Sequence, residues 1–458
     1  MSWRPMENRS RLSHTVVDTL AALGIVLAAA ACQSEQPAGE RAASAPTATA
    51  AATSTSSPAP SSAAPQPEAS AAPAAQAPRQ DPIEGPQVAA LLVAQAQFVD
   101  EKGPDGKTRP VPGPAKLTIV RKTGDGWTVS ILEDPDSNVL HKAMAYEDGF
   151  LTIGGNQAML KTWRFADGKW QQQTHWNPKF GGKHDRLRDI ERGDLDHDGT
   201  DELVIATHDQ GVVAIVHPDE NWRVEEVDRQ ANMFVHEIEI GDVDGDGKME
   251  FFATPSKPNK LDQEQPGEVT MYKSSPEGWQ KSIVDAPGDT HAKEILVADV
   301  DQDGISELYI VWEGALGQGG TLLRPVTVKQ YRLQRDGTWQ STEVASVPDR
   351  LMRAIAAGDV TGDGKIDLVA GGLSSGLWLF ERDGDGWKKT QIDANSSGFE
   401  HPVLLADLDA DGTLEIYVAS EDQGELRQYR FVDGKFVPTK IAPLEKGDIT
   451  WNLSDAKL

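Results

Sequence analysis

Five acidic loops with one shared pattern constrain this chain more than any other feature. Their sequences are DLDHDGTDE, DVDGDGKME, DVDQDGISE, DVTGDGKID and DLDADGTLE. Each has oxygen-bearing side chains at loop positions 1, 3 and 5, a glycine at position 6 and a carboxylate at position 9. Calcium takes about six to eight oxygen ligands, which alternate residues of a tight turn can supply. The glycine permits the sharp bend, and position 7 can offer its backbone carbonyl.

The pattern predicts about five calcium ions, each held by positions 1, 3, 5, 7 and 9 of one loop. These positions are Asp194, Asp196, Asp198, Thr200 and Glu202; Asp242, Asp244, Asp246, Lys248 and Glu250; Asp299, Asp301, Asp303, Ile305 and Glu307; Asp359, Thr361, Asp363, Lys365 and Asp367; and Asp407, Asp409, Asp411, Thr413 and Glu415. Thr361 stands where the other loops have Asp, so we expect the fourth site to be the weakest. The other interpretation, acidic surface turns, does not explain why position 9 is always Asp or Glu.

The residues after each loop distinguish between calcium-binding folds. Short apolar runs follow, such as residues 203–206 and 308–311, and they are typical of buried strands. An EF-hand would instead have a liganding Glu at position 12 and then a helix. Each loop is therefore predicted to be a turn between two strands.

The spacing of the loops predicts the architecture. Successive loops begin 48, 57, 60 and 48 residues apart, a period typical of β-propeller blades. A turn followed by an aromatic residue, interpreted as the hairpin between the third and fourth strands of a blade, occurs seven times. Its aromatic residues are Trp127, Trp170, Trp222, Trp279, Trp339, Trp387 and Phe436. The sequence predicts an all-β fold, a seven-bladed β-propeller with six or eight blades as alternatives, in which these aromatic residues pack between blades.

Two of the seven hairpins have no acidic loop. Residues 141–155 align with residues 353–372, but the turn is cut to Glu147-Asp148-Gly149, so this blade has lost its metal site. The first hairpin, at Trp127, is preceded by a possible second strand at residues 88–97 but by no first strand. Residues 447–453 look like a first strand with nothing after it. We expect this C-terminal strand to complete the N-terminal blade and close the ring.

With these loops, the chain resembles the FG-GAP or VCBS repeats of integrin-type and bacterial surface propellers over roughly residues 116–453. The resemblance implies calcium in the loops and a role in adhesion or carbohydrate binding. Some similar proteins are polysaccharide lyases or other sugar-processing enzymes. The sequence itself contains no nucleophile motif, zinc motif or phosphate-binding loop that supports an enzyme.

The N-terminus predicts export. Arg4, Arg9 and Arg11 precede an apolar run at residues 20–31, which is typical of a signal peptide over residues 1–31 and too short for a membrane span. The next residue, Cys32, is the only cysteine. Residues 29–32 resemble a bacterial lipoprotein cleavage box, although Ala29 stands where Leu is usual, and this resemblance implies lipidation of Cys32. The alternative is a plain signal peptide cut nearby. In lipoproteins the residue after the cysteine influences sorting, and Gln33 at this position favours the outer membrane or the cell surface.

A predicted tether, residues 32–82, separates this anchor from the propeller at residues 83–458. It is rich in Ala, Pro, Ser and Thr, and it cannot bury enough apolar area to offset its ordering entropy, so we expect it to be disordered. The net charge of the chain is −27. This charge argues against nucleic acid or an anionic membrane surface as a partner, which leaves the lipid anchor as the predicted contact with a membrane.

A cationic column predicts a ligand site. The residue six positions before the first loop Asp, or before Glu147 in the shortened blade, is always cationic or potentially so: His141, Arg188, His236, Lys293, Arg353 and His401. This position is the start of the innermost strand, at the mouth of the central channel on the face opposite the loops. The ring is a candidate site for an anionic or sugar ligand. The alternatives are pairing with acidic neighbours and lyase-type catalysis.

The sequence thus predicts an exported, lipid-anchored, monomeric calcium propeller that acts as a surface binding or adhesion module for a carbohydrate or protein ligand. Two alternatives remain at this stage, a polysaccharide lyase or other sugar-processing enzyme on the same scaffold, and a structural interaction platform in the cell envelope.

Overall fold

A computed structural model of the protein describes residues 77–124, 126–181, 185–258, 265–317 and 320–458. The predicted signal peptide, Cys32 and the predicted tether up to residue 76 lie outside the described residues. In the part that is described, no helix is long and apolar enough to cross a membrane.

Seven four-stranded antiparallel sheets form the blades. Blade 1 contains β1 (Ala89–Lys102), β2 (Thr108–Thr123), β3 (Gly126–Asp134) and, at its inner edge, β30 (Ile449–Lys457). Blade 2 contains β4 (Val139–Tyr146), β5 (Gly149–Gly155), β6 (Leu160–Ala166) and β7 (Lys169–Trp176). Blade 3 contains β8 (Leu187–Gly193), β9 (Glu202–Thr207), β10 (Val212–His217) and β11 (Arg223–Arg229). Blade 4 contains β12 (Phe234–Gly241), β13 (Glu250–Ser256), β14 (Val269–Ser275) and β15 (Gly278–Asp285).

The last three blades follow the same order. Blade 5 contains β16 (Ala292–Ala298), β17 (Glu307–Trp312), β20 (Val326–Leu333) and β21 (Trp339–Val347), with the small hairpin β18 (Ala315–Leu316) and β19 (Leu322–Arg324) inserted. Blade 6 contains β22 (Met352–Gly358), β23 (Asp367–Gly372), β24 (Leu377–Asp383) and β25 (Gly386–Asp393). Blade 7 contains β26 (Val403–Ala406), β27 (Glu415–Ser420), β28 (Glu425–Val432) and β29 (Lys435–Pro443). Two 3-10 turns lie at Asp209–Gly211 and Glu421–Gln423. The predicted seven-bladed propeller is confirmed.

The C-terminal strand closes the ring as predicted. β30 pairs antiparallel with β1 in a register that places Leu92 opposite Ser454. Val88 and Leu458 exchange backbone hydrogen bonds of 2.8 and 3.0 Å at the end of this pairing. The first and last segments of the chain therefore share blade 1, and the inner edge of this sheet is paired rather than open.

The apolar core lies between neighbouring blades. Leu151 and Ile153 of blade 2 pack with Leu203 and Ile205 of blade 3 in one buried cluster, and similar clusters fill the other interfaces. The hairpin aromatic residues join these interfaces as predicted. Trp127, for example, meets Tyr417 of blade 7 edge-on, with ring centroids 6.1 Å apart. Each blade is thus stabilised by burial against its neighbours.

Residues just before the predicted propeller boundary at residue 83 also pair with blade 1. The backbone of Asp81 donates to the carbonyl of Ile131 over 2.9 Å, and Glu133 donates to the carbonyl of Arg79 over 2.8 Å. The Asp81 carboxylate also accepts the backbone N–H of Ile131 at 3.0 Å. Residues 79–81 therefore lie along the outer edge of β3, because that strand offers unpaired backbone groups.

Candidate functional site

The five acidic loops share one backbone conformation. Positions 4 and 6 of every loop have positive φ, and the position-6 glycines lie between 83° and 91°, where only glycine is free of strain. The position-6 N–H groups donate to Oδ2 of the first loop Asp over 2.8 or 3.1 Å in all five loops. This repeated bond fixes the first carboxylate against the turn of its own loop.

The carboxylate at position 9 is buried in every loop. Its exposure is 3% or less in Glu202, Glu250, Glu307, Asp367 and Glu415. In the first three loops one of its oxygens accepts the backbone N–H of position 2, which belongs to Leu195, Val243 and Val300. Burial raises the pKa of all five groups, and raises that of Asp367 to about 6. A buried carboxylate needs a cation or a proton, so these groups fit a metal.

Four of the five loops bring three carboxylate oxygens within 4.8 Å of one another. The sets are Asp194, Asp196 and Glu202; Asp242, Asp244 and Asp246; Asp299, Asp301 and Asp303; and Asp407, Asp409 and Glu415. Among the described residues the loop at Asp359 does not form such a set, because Thr361 supplies a hydroxyl that hydrogen-bonds Asp367 at 3.2 Å. The fourth loop thus offers one carboxylate fewer than the other loops, which is the reason for its predicted weakness.

A residue on the third strand of each blade also faces the loop. Lys273 contacts Asp244, Asp246 and Glu250 in blade 4. In blade 5 Arg332 contacts Asp301, Asp303 and Glu307. In blade 7 Arg430 contacts Asp409 and Glu415. In blade 3 His217 Nδ1 lies 3.7 Å from Glu202, whereas blade 6 has Glu381 in the same place. Sequence reasoning missed this position, which decides how much negative charge each loop presents to a cation.

The channel-mouth residues sit on bulges of the innermost strands. The register shifts between Leu140 and Lys142 in blade 2, and a comparable shift occurs at the same place in blades 3, 4, 5 and 6. A bulge lets two successive side chains leave the alternation of a regular strand. Five of the six predicted ring residues lie at these bulges: His141, Arg188, His236 and Lys293, which are buried, and Arg353, which is partly buried.

Acidic and aromatic residues pair with part of this ring. Arg353 donates to Glu313 and Glu400 over 2.9 Å each, and its guanidinium lies 4.8 Å from the centre of the Phe399 ring. Arg188 lies over the Trp451 ring at 4.9 Å, and its Nη2 is 3.9 Å from Glu400. The predicted alternative, pairing with acidic neighbours, therefore describes Arg353 well.

The histidines of the mouth form an ordered chain. Arg186 Nη1 lies 3.2 Å from His208 Nδ1, and His208 Nε2 lies 2.9 Å from His236 Nδ1. An arginine only donates, so His208 must accept at Nδ1 and donate from Nε2. His236 then accepts at Nδ1 and carries its proton on Nε2. Burial first, and the neighbouring cations second, hold the pKa of His208 and His236 well below its usual value, so both rings are neutral.

Three buried N–H groups at this mouth have no hydrogen-bond partner among the described residues. They are Nε of Arg188, Nε2 of His236 and Nε1 of Trp451. Unpaired buried donors are costly, at about 1–3 kcal/mol each, and they are normally satisfied by a ligand or by water. The mouth therefore holds several donors whose hydrogen bonds are not supplied by the described residues.

His401, the sixth predicted ring residue, has different partners. Its Nδ1 donates to the carbonyl of Gly372 over 2.8 Å, and its Nε2 lies 2.7 Å from the hydroxyl of Ser396. It precedes β26 instead of lying within a bulged strand, so its side chain is directed to blade 6. Burial lowers the pKa of His401 to about 4.

A second layer of charge follows the mouth along the channel strands. Lys142 lies 3.0 Å from Asp189 and also contacts Glu191. Burial, with repulsion from neighbouring carboxylates, raises the pKa of Glu237, Glu239 and Glu294 well above the usual value. The column directly after the predicted ring carries Lys142, Asp189, Glu237 and Glu294 of this layer, so the same alignment of blades contained much of the signal.

A family match accompanies this geometry. The model of the FG-GAP-like repeat matches residues 194–253 and 359–418, which are two of the loops with their flanking strands. The protein is an FG-GAP repeat β-propeller. A comparison of its sequence with curated proteins found no match.

Solved structures share the fold of this FG-GAP propeller at low sequence identity. A protein from Lactobacillus plantarum is 11% identical with a TM-score of 0.50, and covers 81% of this chain and 99% of its own. The periplasmic gluconolactonase of Pseudomonas aeruginosa is 15% identical with a TM-score of 0.50, over 80% and 98%. A putative 6-phosphogluconolactonase of Bacteroides uniformis is 13% identical with a TM-score of 0.50, over 81% and 100%. At this identity the likeness shows the fold alone.

Two further residues of the FG-GAP propeller's channel mouth are missed by the ring column. His208 joins the mouth from the end of β9, and His291 from the segment before β16, where its Nε2 lies 3.1 Å from Glu313. His208 follows β9 and His291 precedes β16, so a column drawn at one fixed distance from the loops misses them.

Proposed function

We propose that this FG-GAP propeller is an exported, calcium-binding surface module that holds an anionic or otherwise oxygen-rich ligand, such as an acidic sugar, at the mouth of its central channel. The observation that carries the proposal is the set of unpartnered buried donors on Arg188, His236 and Trp451. Carboxylate or sulfate oxygens would accept from these groups and would face a guanidinium in a site of low dielectric.

Calcium in the proposal rests on the fit of the loops. The buried carboxylate at position 9, the first Asp held by the position-6 N–H, and the convergent side chains at positions 3 and 5 supply hard oxygen ligands. Position 7 would add its backbone carbonyl. Bound calcium would neutralise the loops and stabilise the hairpins on the face opposite the proposed ligand site.

Export and anchoring belong to the same proposal and are supported by the N-terminal sequence. A lipid on Cys32 and an extended tether would hold the propeller away from a membrane with both faces accessible. Incorporation of labelled palmitate by the wild-type chain but not by Cys32→Ala would support the anchor. Equal labelling of both would overturn it.

The test of the ligand site uses conservative variants. We expect an array of acidic and neutral glycans to show an acidic ligand for the purified protein in calcium. Arg188→Lys keeps the charge but loses the Nε donor, and Trp451→Phe keeps the ring under Arg188 but loses the Nε1 donor. Each should weaken binding by about tenfold, the effect of roughly 1.4 kcal/mol.

Arg335→Gln is the matched control, because Arg335 is an exposed arginine on the hairpin between β20 and β21. It should bind like the wild type. Unchanged binding by both Arg188→Lys and Trp451→Phe would remove the channel mouth from the proposal while leaving the calcium loops unaffected.

A polysaccharide lyase on the same scaffold is the second candidate. The Nδ1–H of His141 donates to the carbonyl of Leu187 over 2.7 Å, so its Nε2 bears the lone pair. Burial and then Arg188 hold the pKa of His141 well below the usual value, so the imidazole is neutral. A neutral base beside an arginine suits proton abstraction next to a uronate carboxylate. Unsaturated products from a polyuronate, absent with His141→Gln, would favour this activity over binding alone.

A further inference from the structure

A cleft of about 620 Å³ lies between blades 2 and 3 on the face that carries the acidic loops. Its origin is the shortened turn of blade 2. In blade 3 the acidic loop occupies residues 194–201 between Gly193 and Glu202, whereas Tyr146 and Gly149 of blade 2 pair directly across Glu147 and Asp148. Without a full loop on blade 2, the flank of the neighbouring loop at 199–201 becomes one wall of the cleft.

Aromatic rings form the floor. Trp222 stacks on His175 with ring centroids 3.5 Å apart and planes at 16°, and it lies 5.6 Å from Tyr146. Arg192 covers the Tyr146 ring at 5.3 Å. The side chain of His175 is held by Thr162 at 2.8 Å, so the stack is fixed before any ligand arrives.

Amide groups form the opposite wall. Gln173 faces Thr162 and Gln171 faces Arg164 across β6 and β7, so these side chains share one face of the hairpin. Both glutamines are exposed and line the cleft. Each amide can donate and accept at once, which suits neighbouring hydroxyl groups.

Both arginines of the cleft are already paired with carboxylates, and Asp219 adds a further negative charge to the lining. Arg164 pairs with Glu147 and with Asp148, the latter at 2.6 Å, and Arg192 pairs with Asp201 at 2.7 Å. An anionic ligand would have to break these pairs and would face the remaining carboxylates, whereas a neutral one would not. The volume lies within the roughly 300–1,000 Å³ usual for small-ligand sites.

The backbone at Trp222 is an independent sign of function. Asn221 and Trp222 both have positive φ, 57° and 60°. The corresponding hairpins of blades 2, 4 and 7 place Gly168, Gly278 and Gly434 in positive φ, and their aromatic residue comes after the glycine. A tryptophan in this conformation is strained, and strain of this kind persists mainly where it positions a side chain for a ligand. Here the backbone conformation places the indole of Trp222 in the floor of the cleft.

We propose that the cleft between blades 2 and 3 binds a neutral oligosaccharide, one of whose ring faces packs against Trp222 and whose hydroxyl groups pair with Gln171 and Gln173. A sugar ring has an apolar C–H face and a rim of hydroxyl groups, which matches an aromatic floor with amide walls. This site is separate from the channel mouth, which lies on the opposite face and offers donors to an oxygen-rich or anionic group.

The experiment is saturation-transfer NMR on the full-length protein with neutral tetrasaccharides of glucose, mannose, xylose and N-acetylglucosamine as probes. At least one should bind the wild type. The double variant Gln171→Ala/Gln173→Ala should lower the affinity for it by tenfold or more. Gln280→Ala is the matched control, because Gln280 lies at the position of Gln171 in blade 4 beside a complete loop, and it should bind normally.

Trp222→Gly gives a second measurement that separates folding from binding. It relieves the strained φ but removes an aromatic side chain that packs between blades 2 and 3. Circular dichroism therefore has to show a folded chain, and in that folded chain the oligosaccharide signal should be lost. Arg188→Lys should leave this binding unchanged, which distinguishes the cleft from the channel-mouth proposal. Failure of every tetrasaccharide to bind the wild type, or normal binding by the double glutamine variant, would overturn the inference.

Discussion

The third-strand residue beside each loop sets the local charge that a calcium ion would meet there. Lys273, Arg332 and Arg430 place a cation against their loops, whereas Glu381 adds an anion in blade 6. Burial first, then Thr361, Asp363 and Glu381 act on the pKa of Asp367. The sequence predicts the weakest site at Thr361 from its ligands alone. The negative charge around this loop acts in the opposite direction, because it favours cation binding at the same site.

Lys273→Met should therefore raise the calcium affinity of the blade 4 loop, and Glu381→Gln should lower that of the blade 6 loop. We expect about tenfold for each, roughly 1.4 kcal/mol after solvent screening. Calorimetric titration with calcium measures both. Adding Asp242→Asn should abolish the effect of Lys273→Met, since the loop then lacks its first ligand; an equal effect in both backgrounds would place the change elsewhere.

His401 gives the fold a pH dependence. Its pKa is lowered to about 4 in the folded protein, mainly by burial, from the usual 6.5 of an exposed histidine. As the pH falls below 6.5 the unfolded chain takes up this proton first, so stability present above pH 6.5 is lost towards pH 4. His401→Gln can keep the bonds to Gly372 and Ser396 without titrating. It should remove roughly 3 kcal/mol of the loss over this range, measured by urea unfolding at several pH values.

The control for this measurement is His197→Asn, since His197 is an exposed histidine in the first loop. It should leave the acid slope of stability as it is in the wild type. An identical slope in His401→Gln would show that other groups carry the acid sensitivity.

At the scale of elements, closure of blade 1 depends on bonds made outside the strand ladder. Arg121 donates to the carbonyls of Glu84, Pro86 and Leu458, at 2.6, 2.5 and 3.3 Å. Ser454 donates to the carbonyl of Ala143 in blade 2 over 2.6 Å. One buried guanidinium thus joins the segment before β1, the strand β2 and the last residue of the chain.

Arg121→Met should destabilise the protein by about 2 kcal/mol, because three carbonyl groups lose a charged donor while the apolar stem is kept. Urea unfolding of the mature protein measures this change. Arg109→Met is the control, since Arg109 is exposed and pairs with Asp105, and it should change stability by no more than about 0.5 kcal/mol. Equal stability of both variants would contradict the role given to Arg121.

For the whole molecule, calcium and net charge are linked. The chain carries a net charge of −27, and the loops concentrate carboxylates on one face. Ions that bind the folded loops and not the unfolded chain add RT ln(1 + [Ca²⁺]/Kd) per site. With dissociation constants of about 0.1–1 mM, each occupied loop adds roughly 1–3 kcal/mol at about 10 mM calcium.

The melting temperature should therefore be several degrees higher in about 10 mM calcium than in the presence of a chelator. Sodium chloride at equal ionic strength is the control, because it screens the charge without filling the loops. Scanning calorimetry distinguishes the two. An equal rise of the melting temperature in sodium chloride would show that the loops are acidic turns without a specific calcium site.

Much of the fold could be predicted because its signals are local. The glycine at position 6 is required by its own φ, and the apolar run after each loop by the strand it forms. The spacing of the loops then predicts a propeller, the seven aromatic hairpins give seven blades, and the unpaired segments at the two ends give the closure. The loop ligands follow from the same short pattern, without knowledge of any residue further along the chain.

Only the tertiary structure determined which side chains from different strands and blades lie next to one another. The bulges that turn Arg188 and Asp189 into the channel, the histidine chain through His208, the cation that Lys273 brings to its loop and the cleft beside Trp222 all join residues from different strands or blades. A sequence pattern records what one segment requires of its own backbone. It does not record which distant side chains will supply charge, hydrogen bonds or empty volume next to that segment, because these depend on how the blades pack.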